Sequence, residues 1–156
     1  MDELVKIVAK YFLVLSVLGA AVVLYRMPKT ERLRFVILLA AGGIVALAFA
    51  KLGSMLYDNP RPFVQGHFTP LLPHAADNGF PSDHTLLAAF LAWASLTKSR
   101  KIGAALLVVA LLVGLARLQA GVHHAVDIAG SFVLSGLACW LVWWLVQRFV
   151  REKSAE

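Results

Sequence analysis

An all-α, integral membrane helical bundle of about five transmembrane helices is what this sequence predicts, and three observations carry the prediction. The chain is 60% hydrophobic and only 15% charged, against roughly half apolar and a quarter charged in soluble domains. Its mean hydropathy is +0.75, an apolar excess too large for one small core to hide, so a bilayer is the natural solvent. The apolar residues also gather into five runs, each near the roughly 20 residues that a helix needs to cross the hydrocarbon core. The 156 residues read as one domain, 1–156, undivided by any repeat, linker or low-complexity stretch.

The runs lie at 4–25, 34–57, 83–97, 102–119 and 125–147, with ends uncertain by about 2–4 residues. In the first, Lys6 and Lys10 precede the apolar stretch as in a leader peptide. Tyr25-Arg26 follows without a small-residue cleavage site, so the run reads as a span that is retained. Gly42-Gly43 in the second and Gly130 in the fifth read as points of close helix approach. The third run is the shortest. Tyr11, Trp140, Trp143, Trp144 and Phe149 read as lipid-facing or interfacial aromatics, and Cys139 as a buried thiol packed like a small apolar side chain. The connections are short except for 58–82, which holds five of the six prolines.

Charge sets the expected orientation. Arg26, Lys29, Arg32 and Arg34 lie in the first connection, Lys98, Arg100 and Lys101 in the third, and Arg148, Arg151 and Lys153 in the tail. With five spans these regions share one side, which then carries ten of the fifteen Lys and Arg. The positive-inside rule makes that side cytoplasmic and puts the N-terminus and the loops 58–82 and 120–124 outside. The basic balance of +6 is thereby explained by topology, and nucleic-acid binding is not expected.

The outer side gathers Asp58, Arg61, His67, His74, Asp77, Ser82, Asp83, His84, Arg117, His123, His124 and Asp127, including all five histidines. One-sided clustering of titratable groups on loops held by a helical frame is the pattern of an active site. Three pieces stand out: Arg61-Pro62-Phe63; Phe80-Pro81-Ser82-Asp83-His84 at the start of the third span; and Arg117-x5-His123-x3-Asp127 across the fourth and fifth. His123 and Asp127 at i,i+4 share a helix face if the last span begins near His123. A carboxylate there accepts an imidazole N–H and leaves the second ring nitrogen free to attack. Arg117 offers a planar fork for phosphate oxygens. Ser82 is a natural N-cap, and the free N–H groups of the turn it opens favour an anion. Cationic donors, a helix N-terminus and two imidazoles suit phosphoryl transfer, which rests on positioning and charge stabilisation.

These pieces resemble the signature of the type-2 phosphatidic acid phosphatase superfamily: Lys-x6-Arg-Pro, Pro-Ser-x-His and Ser-Arg-x5-His-x3-Asp. The resemblance spans about residues 51–131, and the Pro-Arg-Pro-Phe and Phe-Pro-Ser-Asp-His wording is most similar to the bacterial undecaprenyl-diphosphate phosphatase branch. It implies a membrane lipid phosphatase in which His123 is the nucleophile that forms a phosphohistidine and Asp127 orients it. It implies His84 as the acid on the leaving oxygen, and Arg61, Ser82 and Arg117 as holders of phosphate oxygens. The implied partners are a lipid phosphate substrate and membrane lipids; no metal or other cofactor is implied. Two positions depart from the pattern. Ala116 stands where the family often has Ser. Lys51 lies ten residues before Arg61 rather than seven, so the family's Lys position falls on Ser54. Lys51 shares that helix face one turn deeper and is assigned to phosphate by a snorkelling stem.

Plainer readings stand beside these. Arg61 could pair with Asp58, Ser82 could only cap a helix, His123–Asp127 could be a simple i,i+4 contact, and His67, His74 and His124 read as solvated loop residues. Among function classes, a transporter is disfavoured because only Lys51 lies deep in a span. A non-catalytic lipid-binding protein is disfavoured by the intact His84, His123 and Asp127. Among lipid phosphatases, undecaprenyl diphosphate is the first choice of substrate. Phosphatidylglycerophosphate, phosphatidic acid and lipid A phosphates are the alternatives that the resemblance admits.

Overall fold

The computed structural model describes residues 1–153, with side chains described through Phe149. The side chains of Arg151 and Lys153, two of the tail cations counted above, lie outside the described residues, as does Glu156. Among the described residues the chain forms six α-helices and no sheet: α1 (Asp2–Arg26), α2 (Lys29–Leu56), α3 (Pro62–Gln65), α4 (Asp83–Leu96), α5 (Arg100–Gln119) and α6 (Ala125–Lys153). Five of these coincide with the expected spans, and α3 is a single turn inside the long connection. Helices α1, α2, α5 and α6 are long and apolar enough to cross a membrane.

The third expected span lies where expected but is not among these four. Helix α4 has 14 residues, about 21 Å at the α-helical rise against a hydrocarbon core of about 30 Å. It is also the central helix, packed against α1, α2, α5 and α6, and eight of its residues are buried. A helix covered by protein need not reach both interfaces, because its end groups are satisfied by neighbours rather than by water. At its start the Ser82 N–H donates to Ser131 Oγ at 3.0 Å.

The outer helices show the converse pattern. On α1 and α2, Leu4, Leu18, Ile44 and Leu47 are each more than half exposed, the apolar girdle that a bilayer covers and water would not. The expected lipid-facing aromatics Tyr11, Trp140, Trp144 and Phe149 point outward too, while Cys139 is buried. Phe35, Leu38, Phe90, Cys139 and Val142 fill the space between α2, α4 and α6. Gly42 admits the Phe90 ring, since a Cβ there would sit 2.9 Å from it. Gly130 serves a different purpose from the one expected. A Cβ on it would lie 2.2 Å from Phe80, so it receives a loop ring rather than a neighbouring helix.

One end of the bundle is closed by the two basic connections. Arg32 donates to the Tyr25 and Met27 carbonyls at 2.9 and 3.3 Å, satisfying acceptors that the end of α1 leaves open. Lys98 pairs with Glu31 at 2.7 Å, joining the α4–α5 connection to α2. The long loop 58–82 and the α5–α6 link meet at the other end.

Candidate active site

His123 sits in the five-residue link, 120–124, between α5 and α6. Gly121 adopts φ +75°, which reverses the chain after α5 and which an L side chain resists. The Leu71 N–H donates to the Ala120 carbonyl at 3.0 Å, lashing the long loop to the turn. His123 emerges 3% exposed. Its Nδ1 lies 2.9 Å from the Gly79 carbonyl oxygen and 3.4 Å from Asp127 Oδ2. A carbonyl can only accept, so Nδ1 carries the proton and Nε2 keeps its lone pair. Nε2 lies 3.3 Å from Arg61 Nη1. The i,i+4 contact with Asp127 is therefore present, but it is the longer of two restraints; the shorter one comes from a loop carbonyl. Burial holds His123 below the ordinary imidazole value. The Asp127 contact opposes the shift, and the charges of Arg61 and Arg117 add to it.

Asp127, in the first turn of α6, has no exposed surface. Its Oδ1 accepts from Asn59 Nδ2 at 2.7 Å and its Oδ2 from the His124 N–H at 2.8 Å. A buried carboxylate needs such donors to stay ionised. Ser131 Oγ, one turn on, donates to the Asp127 carbonyl at 2.7 Å and lies 3.0 Å from the Ser82 carbonyl. The start of α4 and the start of α6 are thus stitched together beneath His123.

Arg61 is 7% exposed. Its Nη1 donates to the Val122 carbonyl at 2.9 Å, and its Nε pairs with Asp77 at 2.8 Å. Its acidic partner is Asp77, not Asp58 three residues before it, which is exposed. The Arg61 guanidinium holds the Asp77 carboxyl below its usual range. Arg117, in the last turn of α5, is 3% exposed. Its Nη2 lies 2.7 Å from His74 Nε2, and its buried Nε has no acceptor.

The other expected residues take distinct places. Ser82 caps α4 by position, but its side chain makes no cap bond. Its hydroxyl, fully enclosed, accepts from Thr85 Oγ1 at 3.1 Å. His84 lies in the first turn of α4, partly exposed and within electrostatic reach of Arg117, His74 and His123. Lys51 is exposed and lines a groove of about 400 Å³ beside Ser54, Arg61, Asp77 and Asp83. Sequence reasoning missed Asn59, Asn78 and Gly79; it counted His74 and Asp77 in the outer cluster but gave them no part in the site, and read His74 as solvated. Asn78 is the hub of the loop. Its amide donates to the Ser54 and Tyr57 carbonyls at the end of α2, and its oxygen accepts from the N–H groups of Asn59 and Phe80. The cluster of polar residues in 58–82 was a signal for the segment, but not for which of them turn inward.

The family model described as the PAP2 superfamily matches residues 32–151. The chain belongs to the PAP2 superfamily. It is a multi-pass membrane phosphatase of that family. The chain is 35% identical over 135 residues to undecaprenyl-diphosphatase BcrC of Bacillus subtilis (strain 168), covering 86% of this chain and 69% of that protein. It is 31% identical over 146 residues to the bacitracin transport permease protein BcrC of Bacillus licheniformis, covering 92% and 71%. Its fold is similar to the crystal structure of a transmembrane PAP2 type phosphatidylglycerolphosphate phosphatase from Bacillus subtilis. The TM-score is 0.62 at 24% identity, over 97% of this chain and 77% of that one.

Proposed function

We propose that this PAP2 chain hydrolyses a polyisoprenyl diphosphate, undecaprenyl diphosphate first, through a phosphohistidine on His123 at the outer membrane face. The observation that carries the reading is the His123 ring: Nδ1–H is held by the Gly79 carbonyl and Asp127, and Nε2 is left beside Arg61. The Nε2 lone pair attacks the terminal phosphorus while the bond from phosphorus to the bridging oxygen breaks. His84 gives a proton to that oxygen, releasing the lipid monophosphate. Water then attacks the phosphorus and breaks the P–N bond, with His84 taking a proton from the water. Inorganic phosphate leaves and His123 returns to its neutral form. Arg61, Arg117 and the N–H groups at the start of α4, framed by Ser82, carry the charge on the phosphate oxygens. Lys51 lines the groove that Arg61 also lines and is assigned to the second phosphate through its snorkelling stem. This assignment requires no metal or other cofactor.

Two features support a diphosphate. Two buried guanidiniums and a helix N-terminus supply donors for linked phosphates, and the chain is 35% identical to a protein named as an undecaprenyl-diphosphatase. The transport named for the Bacillus licheniformis relative would call for a polar path along the bundle. Here the space between α2, α4 and α6 is filled by Phe35, Phe90 and their neighbours. The test is kcat/KM on undecaprenyl diphosphate and on phosphatidylglycerophosphate in one detergent. A preference for the diphosphate is expected. A preference of more than about tenfold for the glycerophospholipid, roughly 1.4 kcal/mol of transition-state discrimination, sinks the substrate assignment and leaves the reaction class standing.

Two further results are expected. The lowered His123 value means that the neutral ring survives to lower pH than a free histidine. The acid limb of the kcat/KM profile should therefore inflect below the ordinary value of 6.5; an inflection above it counts against an unprotonated His123 as the attacking group. For orientation, the ten-to-five cation asymmetry predicts that a tag within 64–78 is cleaved by external protease in intact cells and that a reporter after Glu156 is cytoplasmic. A protected loop tag would reverse the assignment.

A further inference from the structure

His74 belongs to none of the three motif pieces, yet the long loop delivers it to the site. Its Nδ1 lies 2.8 Å from the Pro73 carbonyl, and its Nε2 lies 2.7 Å from Arg117 Nη2. The roles in both contacts are forced. Arginine has only donors, so Nε2 accepts; the carbonyl only accepts, so Nδ1 donates. The pair exists only while His74 is neutral, and burial together with the Arg117 charge holds this imidazole below its ordinary value. The His74 and His123 ring centroids are 6.1 Å apart with the planes at 77°, so the two imidazoles are neighbours in the site.

Arg117 is the less restrained of the two guanidiniums. Arg61 is pinned by Asp77 and the Val122 carbonyl. Among the described residues Arg117 forms no ion pair with a carboxylate, its Nε is buried without an acceptor, and its side chain hydrogen-bonds only to His74. A long side chain with a single restraint samples several rotamers, and fixing it on binding costs entropy. We infer that His74 is a positioning residue for Arg117: it fixes the plane of this guanidinium so that Nε and the remaining N–H groups meet the phosphate oxygens without rearrangement. The inference rests on the phosphate role proposed for Arg117.

The test compares wild type, His74→Ala, His74→Gln, Arg117→Ala and the His74→Ala/Arg117→Ala double variant. The readouts are kcat and KM on undecaprenyl diphosphate and the inhibition constant for orthovanadate. A hydrogen bond to a charged group is worth about 1.5–3 kcal/mol, so His74→Ala should raise KM and the vanadate constant by about tenfold or more, with kcat near wild type. His74→Gln puts an amide oxygen where Nε2 stood and should recover most of the loss. In the Arg117→Ala background, His74→Ala should add nothing further to KM. An equal loss in both backgrounds, a loss confined to kcat, no change, or a fall in KM each overturns the inference. A fully active Arg117→Ala overturns the phosphate role itself, which separates the two failures.

Discussion

Replacing His123 with alanine should abolish phosphate release, with a loss on the order of 10⁶-fold in kcat, the scale found when a covalent nucleophile is deleted. No other ring nitrogen occupies its place: His84 projects from another helix, and His74 has its Nε2 engaged by Arg117. The variant should still fold. Asp127 keeps its Asn59 and His124 donors at 2.7 and 2.8 Å, so removing the imidazole does not strand a buried charge. Lipid labelled at the terminal phosphate should leave an acid-labile, base-stable phosphoenzyme in wild type and none in His123→Ala. Orthovanadate, which adopts the five-coordinate geometry of the reacting phosphorus, should inhibit the wild type. Undiminished turnover in the variant would remove the phosphohistidine mechanism from consideration.

His84→Ala should produce the second largest loss, and its size should depend on what leaves. General acid catalysis contributes about 10²–10⁴-fold. The benefit is greatest for an alkoxide, which departs poorly without a proton, and smaller for a lipid monophosphate, which is a stable anion. Turnover of a lipid monophosphate should therefore fall further than turnover of the corresponding diphosphate. The measurement is the ratio of wild-type to variant kcat/KM on the two substrates. Equal losses on both, or losses on neither, would show that His84 gives no proton to the leaving oxygen.

The legible parts of this molecule were those that local physics dictates. Five helices were readable because an apolar run long enough to cross a bilayer has few alternatives to a helix. The His123–Asp127 contact was legible from their spacing, although His123 makes it from the link before α6 rather than from a shared helix face. The bounds of α4 were legible to within a residue, but not its burial, because composition registers apolarity without saying whether lipid or protein will cover it. Contacts within 58–82 were not legible. Arg61 bypasses Asp58, three residues away, for Asp77, and His123 takes its shorter restraint from Gly79. Those choices depend on how a proline-rich loop doubles back, which no periodicity records. Gly130 illustrates the same limit: a small residue announces close approach, but not whether the visitor is a helix or the ring of Phe80.

The four hydrogen bonds of the Asn78 side chain have a mechanical consequence. By binding the last carbonyls of α2 on one side and the two ends of the loop on the other, Asn78 makes the loop a hairpin with a clamped base. The arch between Gly66 and Ala76 has ties of its own, the Leu71 N–H to the Ala120 carbonyl and His74 to Arg117, while Asn59, Arg61 and Gly79 sit at the clamped base. Displacing the arch would therefore also release Arg117, whereas the Gly79 carbonyl that orients His123 would keep its place.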